Sequence, residues 1–344
     1  MGNELKSRDE NVLKWLIRDH SKSGQPIGSP RLVEMDYFDV GSATLRNILH
    51  GLEQSGFLMQ PHTSSGRVPT QKGYRYFVDR LMEMRSPSET IVQEYEAGIS
   101  RISLDLDTLI RNTAQFLGDV SHALILMSKP HERVKTIKSL NLHELDRGKV
   151  LLIVNTSYDQ VSTFAFEFES ALSSIVLKEA EMILNDLFAG RALDDIKKMS
   201  GGQDVDVARK NPLVSSLLDQ IPDLHIAARP DSYQVYGTHQ LMHYNEITDP
   251  RVMELLLESL ETNNLQNHLP TPIEAGKPKF LIGDELGLSG LNRLSLVSIA
   301  YEGTECTGEI HFIGPNRMAY EKIVSLATFT AEKMKSIIQL DYVK

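Results

Sequence analysis

An α+β chain of several domains, led by a winged helix-turn-helix, is the fold class that the sequence predicts, and three observations predict it. The stretch from Gly41 to Arg80 reads as a helix succeeded at once by a short hairpin. Strand-like blocks split by helices fill most of the remaining chain, in the order of an α+β domain with a mostly antiparallel sheet. A polar tract from about Arg191 to Glu246 interrupts those blocks. At 344 residues the chain has room for two or three domains, and 41% hydrophobic content is ordinary for packed cores.

Composition narrows the function classes. No apolar run approaches the roughly 20 residues that cross a bilayer, and the N-terminus MGNELKSRDENV lacks an apolar signal core. The expectation is a cytoplasmic protein without a membrane partner. The single cysteine, Cys306, permits no internal disulfide, and no Cys/His spacing fits a zinc site, so no metal or cofactor is expected. The net charge of −10 is uneven: residues 1–86 carry 12 Lys+Arg against 10 Asp+Glu (+2), and residues 87–344 carry 24 against 36 (−12). Within residues 40–85 the balance is 6 against 3. Any binding of nucleic acid must therefore be local and oriented.

From the N-terminus, Ser7-Arg8-Asp9-Glu10 fits a capping box that opens a helix with Val12, Leu13, Leu16 and Ile17 inside and Trp15 beside them; Gly24 and Pro26 close it. Ser29-Pro30 starts a short second helix through about Asp36, and Tyr37 to Val40 form a turn. Ser42 can cap a third helix whose buried stripe is Leu45, Ile48, Leu49 and Leu52. Its opposite stripe is Ala43, Arg46, Asn47, His50 and Gln54, with Thr44 flanking, and these residue types read base edges: Arg on guanine, Asn on adenine, small side chains for close approach. Every surface helix has a solvated face, so this stripe by itself does not discriminate.

The segment behind it does. Gly56 ends the helix, Phe57 to Gln60 forms a strand, PHTSSG (Pro61 to Gly66) a polar loop, and Arg67 to Thr70 the return strand. His62, Thr63, Ser64 and Ser65 at the tip offer short hydrogen-bonding groups, and Arg67 offers charge, which suits a phosphate backbone or a minor groove. Pro61 and Pro69 stiffen the wing. Thr70 caps a further helix with Tyr74, Phe77, Val78, Leu81 and Met82 on its inner side, while Lys72 and Arg75 either touch phosphate or are solvated.

Arg85-Ser-Pro-Ser-Glu89 reads as a linker. From Tyr95 through Ile99, Ile102, Leu106, Leu109, Thr113, Phe116 and Val120 a seam runs at coiled-coil spacing, which joins two subunits or packs on its own domain. Strands are expected at His122–Ser128, Val134–Leu142, Lys149–Asn155 and Val161–Phe168, the last with Phe164, Phe166 and Phe168 on one face, and then a helix over Ala171–Phe188. The polar interruption holds GGQD at Gly201–Asp204, short helices at Leu193–Met199 and Pro212–Gln220, and a strand at Tyr233–Gly237. Strands at Lys279–Gly283, Leu294–Tyr301 and Gly308–Ile313 precede a final helix over Met318–Leu340. Catalytic patterns are missing: His143-Glu144 lacks the second histidine of a zinc protease helix, and Gly201-Gly202 does not come after a strand as a phosphate loop would. No catalytic residue is expected.

The run SATLRN, continued by LEQSGFLMQPHTSSGRVPTQKGYRYFVDRLM, with the later segments FLIGDE (Phe280–Glu285), Ser295-Leu-Val and IGPNRMAY (Ile313–Tyr320), resembles the heat-inducible transcription repressor (HrcA) family of bacteria. Asn316 and Ala319 stand where that pattern has threonine and aspartate, and His311-Phe312 where it has Gly-Val. The resemblance implies a winged-helix domain over residues 1–86, a GAF-like domain with its leading helix over 87–190 and 247–344, and an inserted dimerising domain over 191–246. It also implies a homodimer that represses chaperone operons through a CIRCE-like inverted repeat in double-stranded DNA, with activity set by temperature and by the chaperonin GroEL with GroES. On this reading Thr44, Arg46, Asn47 and His50 are candidates for base contacts. Ser42, His62, Thr63, Ser64, Ser65, Arg67 and Arg75 are candidates for the backbone or minor groove. Two rivals remain: a regulator whose GAF-like domain binds a metabolite, and a chaperonin-linked protein or enzyme with a vestigial reader.

Overall fold

A computed structural model describes residues 5–34, 37–62, 65–99, 105–132, 136–146, 149–156, 161–168, 173–191, 207–220, 233–270, 273–303 and 306–341. The chain divides into two compact units, Met1–Pro130 with Pro230–Lys344, and His131–Arg229.

The first unit begins with α1 (Ser7–Ser23), which buries Val12, Leu13, Leu16 and Ile17. The capping box expected at Ser7 is not formed; Lys6 holds the cap position without a side-chain hydrogen bond, and Asp9 and Glu10 serve the first turn as acids facing the positive end of the helix dipole. Gly24, at φ +65°, closes α1 by donating its amide to the His20 carbonyl at 2.8 Å. After α2 (Ser29–Glu34) comes α3 (Ser42–Gln54), which buries Leu45, Leu49 and Leu52 one and two turns apart. Gly41 rather than Ser42 is its cap residue; the Ser42 hydroxyl donates to Ser29 Oγ at 3.2 Å.

The hairpin is β1 (Leu58–Met59) against β2 (Val68–Pro69), antiparallel, with Leu58 opposite Pro69. Ile27 adds a third position to it through two backbone hydrogen bonds of 2.8 Å with Arg67, which the sequence does not suggest. Thr70 caps α4 (Gln71–Tyr76) by accepting from the Gly73 amide at 3.1 Å. The chain continues through a single wide turn, Phe77–Leu81, closed by Met82 N–H on the Phe77 carbonyl.

The run at coiled-coil spacing becomes two helices, α5 (Glu89–Ile99) and α6 (Leu106–Ser121). Asp105 starts the second by accepting from the amides of Asp107 and Thr108. Leu109, Ile110, Thr113, Ala114 and Leu117 of α6 are buried in their own unit, so this part of the seam serves the domain that carries it. Next comes β3 (Leu124–Ser128), buried at every residue.

The second unit is a three-stranded antiparallel meander, β4 (Ile137–Asp146), β5 (Lys149–Thr156) and β6 (Val161–Glu167), with α7 (Ser174–Phe188) and α8 (Pro212–Gln220). Phe166 is buried and Phe164 and Phe168 are partly buried against one core with Leu142, Leu152, Leu184, Phe188 and Leu217. The sequence pattern predicts that these strands share one sheet with the C-terminal ones. They form a sheet of their own instead, because their alternating apolar positions face one another across strands, Leu142 beside Leu152 and Leu152 beside Phe164, and share that core with α7 and α8. The unit thus takes in residues on both sides of position 191. The helix expected at Leu193–Met199 and the GGQD segment lie outside the described residues.

Back in the first unit, β7 (Tyr233–Tyr236), which the sequence leaves in the polar interruption, pairs with β3. Asp249 caps α9 (Pro250–Glu261), and β8 (Lys279–Ile282), β9 (Leu294–Glu302), β10 (Cys306–Pro315) and α10 (Tyr320–Asp341) complete the unit. The strand path β7-β3-β10-β9-β8 is antiparallel throughout. One sheet face packs on α6 and α10, and the other on α9 and the turn Thr238–His243. The first of these cores runs without a break into the N-terminal helices: Leu16, Leu49 and Phe77 belong to the same cluster as Val297, Phe312 and Tyr320. Among the described residues no helix is long and apolar enough to cross a membrane.

Candidate nucleic-acid interface

Burial of Leu45, Leu49 and Leu52 fixes which side of α3 looks outward, and Ala43, Thr44, Arg46, Asn47, His50 and Gln54 are placed away from that core. The side chains of Arg46 and Asn47 have no hydrogen-bond or ion-pair partner among the described residues. A guanidinium with five free donors and a carboxamide with both functions free are the groups that recognise a base edge bidentately. His50 stands 3.1 Å from Gln54 through Nε2 and is 62% exposed, with Glu53 at 4.0 Å on its other nitrogen. Lys72 is used structurally: its Nζ donates to the Ser55 carbonyl at 2.7 Å, where α3 ends, and lies 4.5 Å from the Phe57 ring centre.

At the wing, His62 is exposed. Ser65 is turned inward on the loop itself, its hydroxyl donating to the His62 carbonyl at 2.7 Å and accepting from the His62 amide at 3.0 Å. Thr63 and Ser64 lie outside the described residues. Ser42 is exposed at the start of α3, bonded to Ser29.

Two expected cations are committed elsewhere. Arg67 donates from Nη2 to Glu53 at 3.3 Å, and its Nε is buried without a partner among the described residues, because the backbone pairing with Ile27 draws the residue under α3. Arg75 donates to Glu285 from Nε at 2.9 Å and also from Nη2, to the Phe280 carbonyl at 3.0 Å and to Asp79 at 3.2 Å. It sits on the side of α4 that meets β8, so it faces protein rather than open solvent.

The residues that join this helical module to the sheet carry no functional signal in the sequence. Arg18 pairs with Glu321 at 2.6 Å, and Lys14, Arg18 and Arg85 converge on Glu83, holding its carboxyl down at about 2. Arg317 pairs with Glu246 and donates to the Ser21 carbonyl at 3.3 Å. His20 is buried beside them, its Nδ1 3.1 Å from the Gln25 carbonyl; burial pushes it below the ordinary histidine value, and nearby Arg317 acts in the same direction. The only pointer to this boundary lay in the segments FLIGDE and IGPNRMAY, whose spacing says nothing about what they touch. Among the described residues no group of three His, Cys, Asp or Glu could hold a metal ion.

This is a mixed helix-and-sheet protein in which one helix of an N-terminal module carries Arg46 and Asn47 exposed and without a partner among the described residues. The model of the HrcA protein C terminal domain matches residues 107–324. The chain is 31% identical over 339 residues to the heat-inducible transcription repressor HrcA of Xanthomonas campestris pv. campestris, covering 97% of this chain and 96% of that one. Against the repressor of the same name from Desulforudis audaxviator it is 27% identical over 348 residues, covering 98% and 99%. A crystal structure of a hypothetical protein superposes with TM-score 0.57 at 19% identity, covering 98% of this chain and 100% of that one, which is a likeness of fold. The chain belongs to the HrcA family of heat-inducible transcription repressors.

Proposed function

We propose that this chain is a homodimeric, sequence-specific DNA-binding repressor that reads an inverted repeat upstream of chaperone operons. On this reading residues 1–86 are a winged helix with α3 as the reading helix, the sheet of the first unit is a GAF-like domain, and the inserted region supplies the dimer contact. The observation that carries it is the pair Arg46 and Asn47 on α3, exposed and without a partner among the described residues, with a hairpin directly behind that helix. Thr44, Arg46, Asn47 and His50 read bases, and Ser42 and His62 hold the backbone, with Thr63 and Ser64 in the same loop. A two-fold dimer presents two such helices to half-sites on one face of the duplex. Membership of the family supports heat as the signal, and the family resemblance supports modulation by GroEL with GroES.

The test is a competition gel shift between an inverted-repeat duplex and scrambled DNA over a salt series, for wild type and Arg46→Ala. Loss of a well-placed base contact lowers affinity by roughly 1 to 3 kcal/mol and relaxes specificity, with little change of salt slope. Equal discrimination by Arg46→Ala removes Arg46 from base readout, and a wild type indifferent to the repeat rejects the operator reading. Repeating the assay at rising temperature, with and without GroEL and GroES, tests the regulation.

A further inference from the structure

The segments Phe280–Glu285 and Ile313–Tyr320 contribute nothing to the α3 face, yet they and their immediate neighbours are the counterpart of the N-terminal module at three separate points. At α4, the Gln71 side chain accepts from the Asp284 amide at 3.2 Å and donates to the Asn292 carbonyl at 3.3 Å. Gly283, at φ +59°, makes room for it: a Cβ there would lie 2.2 Å from Gln71 Nε2. Beside it Glu285 takes both arms of Arg75 while accepting from the Ile282 amide at 2.8 Å, so the carboxylate is oriented by its own backbone before the guanidinium arrives.

At the end of α1, Arg317 donates to the Ser21 carbonyl while paired with Glu246, and its guanidinium carbon lies 3.0 Å from where a Cβ of Gly24 would stand. A cation on that carbonyl also meets the negative end of the α1 dipole. Further up α1, Arg18 holds Glu321. Arg317 and Arg18 are only 12% and 13% exposed, so these pairs are shielded from salt more than surface pairs are. Between the points, the Tyr320 ring stands 6.1 Å from Tyr74 and 6.3 Å from Phe280. One forked contact would tether the module; three, on two helices, also fix its orientation.

We propose that Glu285 and Arg317 are positioning residues: they hold the reading module at one angle on the sheet domain, and this angle sets the half-site spacing that a dimer accepts. The inference rests on the proposed operator reading. A module swinging on the linker at Arg85–Glu89 would accept many spacings; a seated one accepts one.

The experiment uses the full chain and an inverted-repeat duplex selected by the wild type from a random pool. Two companions are the same half-sites with the spacer lengthened by about 5 base pairs, half a helical turn, and a single half-site. Wild type is expected to prefer the selected spacing by on the order of a hundredfold, the gain from linking two binding events in register. Glu285→Gln and Arg317→Gln are expected to reduce that ratio to about tenfold or less while single half-site affinity stays unchanged. Arg317→Lys, which keeps the charge but not the fork, falls between. Hydrogen exchange of the α4 and C-terminal α1 amides reports independently that the seat is loosened. The proposal is overturned if exchange rises and the spacing ratio does not move, if half-site affinity falls by the same factor as repeat affinity, or if the variants bind the repeat more tightly than wild type. A wild type that selects no inverted repeat fails the operator reading itself, before any variant is made, and this proposal with it.

Discussion

Arg46 and Arg75 read almost alike in sequence, each an arginine on the polar side of a helix in the basic stretch, and the structure separates them. Arg46 is exposed and unpartnered among the described residues, whereas Arg75 is bound to Glu285, a carboxylate 210 positions away. Residue type was legible; the partner was not, because a contact across that separation leaves no local pattern. The same holds for Arg67, whose wing position suggested charge for DNA and whose side chain is held by Glu53. Arg75→Ala is therefore expected to lower stability by roughly 1 kcal/mol, the value of a partly exposed ion pair, with the salt slope of DNA binding unchanged; urea unfolding and a gel-shift salt series check the two halves. His20 offers a second test at this scale. Its folded-state value lies below the ordinary 6.5 because burial disfavours the cation, so the unfolded chain binds more protons and stability rises with pH through this window. The protein is expected to lose stability as the pH falls below about 6.5, and His20→Asn to flatten that dependence, read from urea midpoints between pH 7.5 and 5.5.

Periodicity located elements well and said little about their neighbours. The stripe of α3, the cap at Thr70 and the alternation of Phe164, Phe166 and Phe168 were legible because each depends on spacing within a few residues. Sheet membership was not: β4 to β6 and β7 all look like half-buried strands, and only long-range pairing decides that the first three form their own meander while Tyr233–Tyr236 joins β3. The seam from Tyr95 to Val120 was ambiguous for the same reason, since a coiled-coil stripe and the inner face of a domain helix share one spacing. Two substitutions test what the elements rest on. Gly98 lies in α5 with nothing within 4 Å of an added Cβ, so Gly98→Ala is expected to stabilise the protein by about 1 kcal/mol in thermal or urea unfolding. Leu49, fully buried in the middle of α3, is expected to lose about 2 to 5 kcal/mol on truncation to alanine, and DNA binding should weaken even though Leu49 does not face outward.

At the scale of the whole molecule, the continuity of one core from α1 to α10 decides how heat can act. A reading head hung on a flexible linker would melt by its own curve, leaving the rest folded. Here Leu13, Leu16, Phe77 and Val78 share a cluster with Met318, Tyr320, Ile323 and Val324, and Arg18, Arg75 and Arg317 bridge the same boundary. Unfolding the sheet domain strips the module of that packing, and unfolding the module exposes Tyr320 and its neighbours. Strong coupling of this kind makes the two parts one cooperative unit. The chain carries its own reporter, because Trp15 is the single tryptophan, lies on α1, and stacks on Tyr37 with ring centres 3.7 Å apart. Tryptophan fluorescence therefore reports the N-terminal module, while far-ultraviolet circular dichroism reports the whole chain. On heating, the Trp15 transition is expected to coincide with the main loss of helix and strand signal, and operator binding to vanish at the same temperature. A Trp15 transition several degrees earlier would mean that the head comes loose by itself, and Glu285→Gln should then move that early transition and leave the later one in place. On the proposed operator reading, coincidence would give heat inducibility a thermodynamic form: the few kcal/mol that hold a domain folded also hold the N-terminal module in its seat, so one melting event removes both.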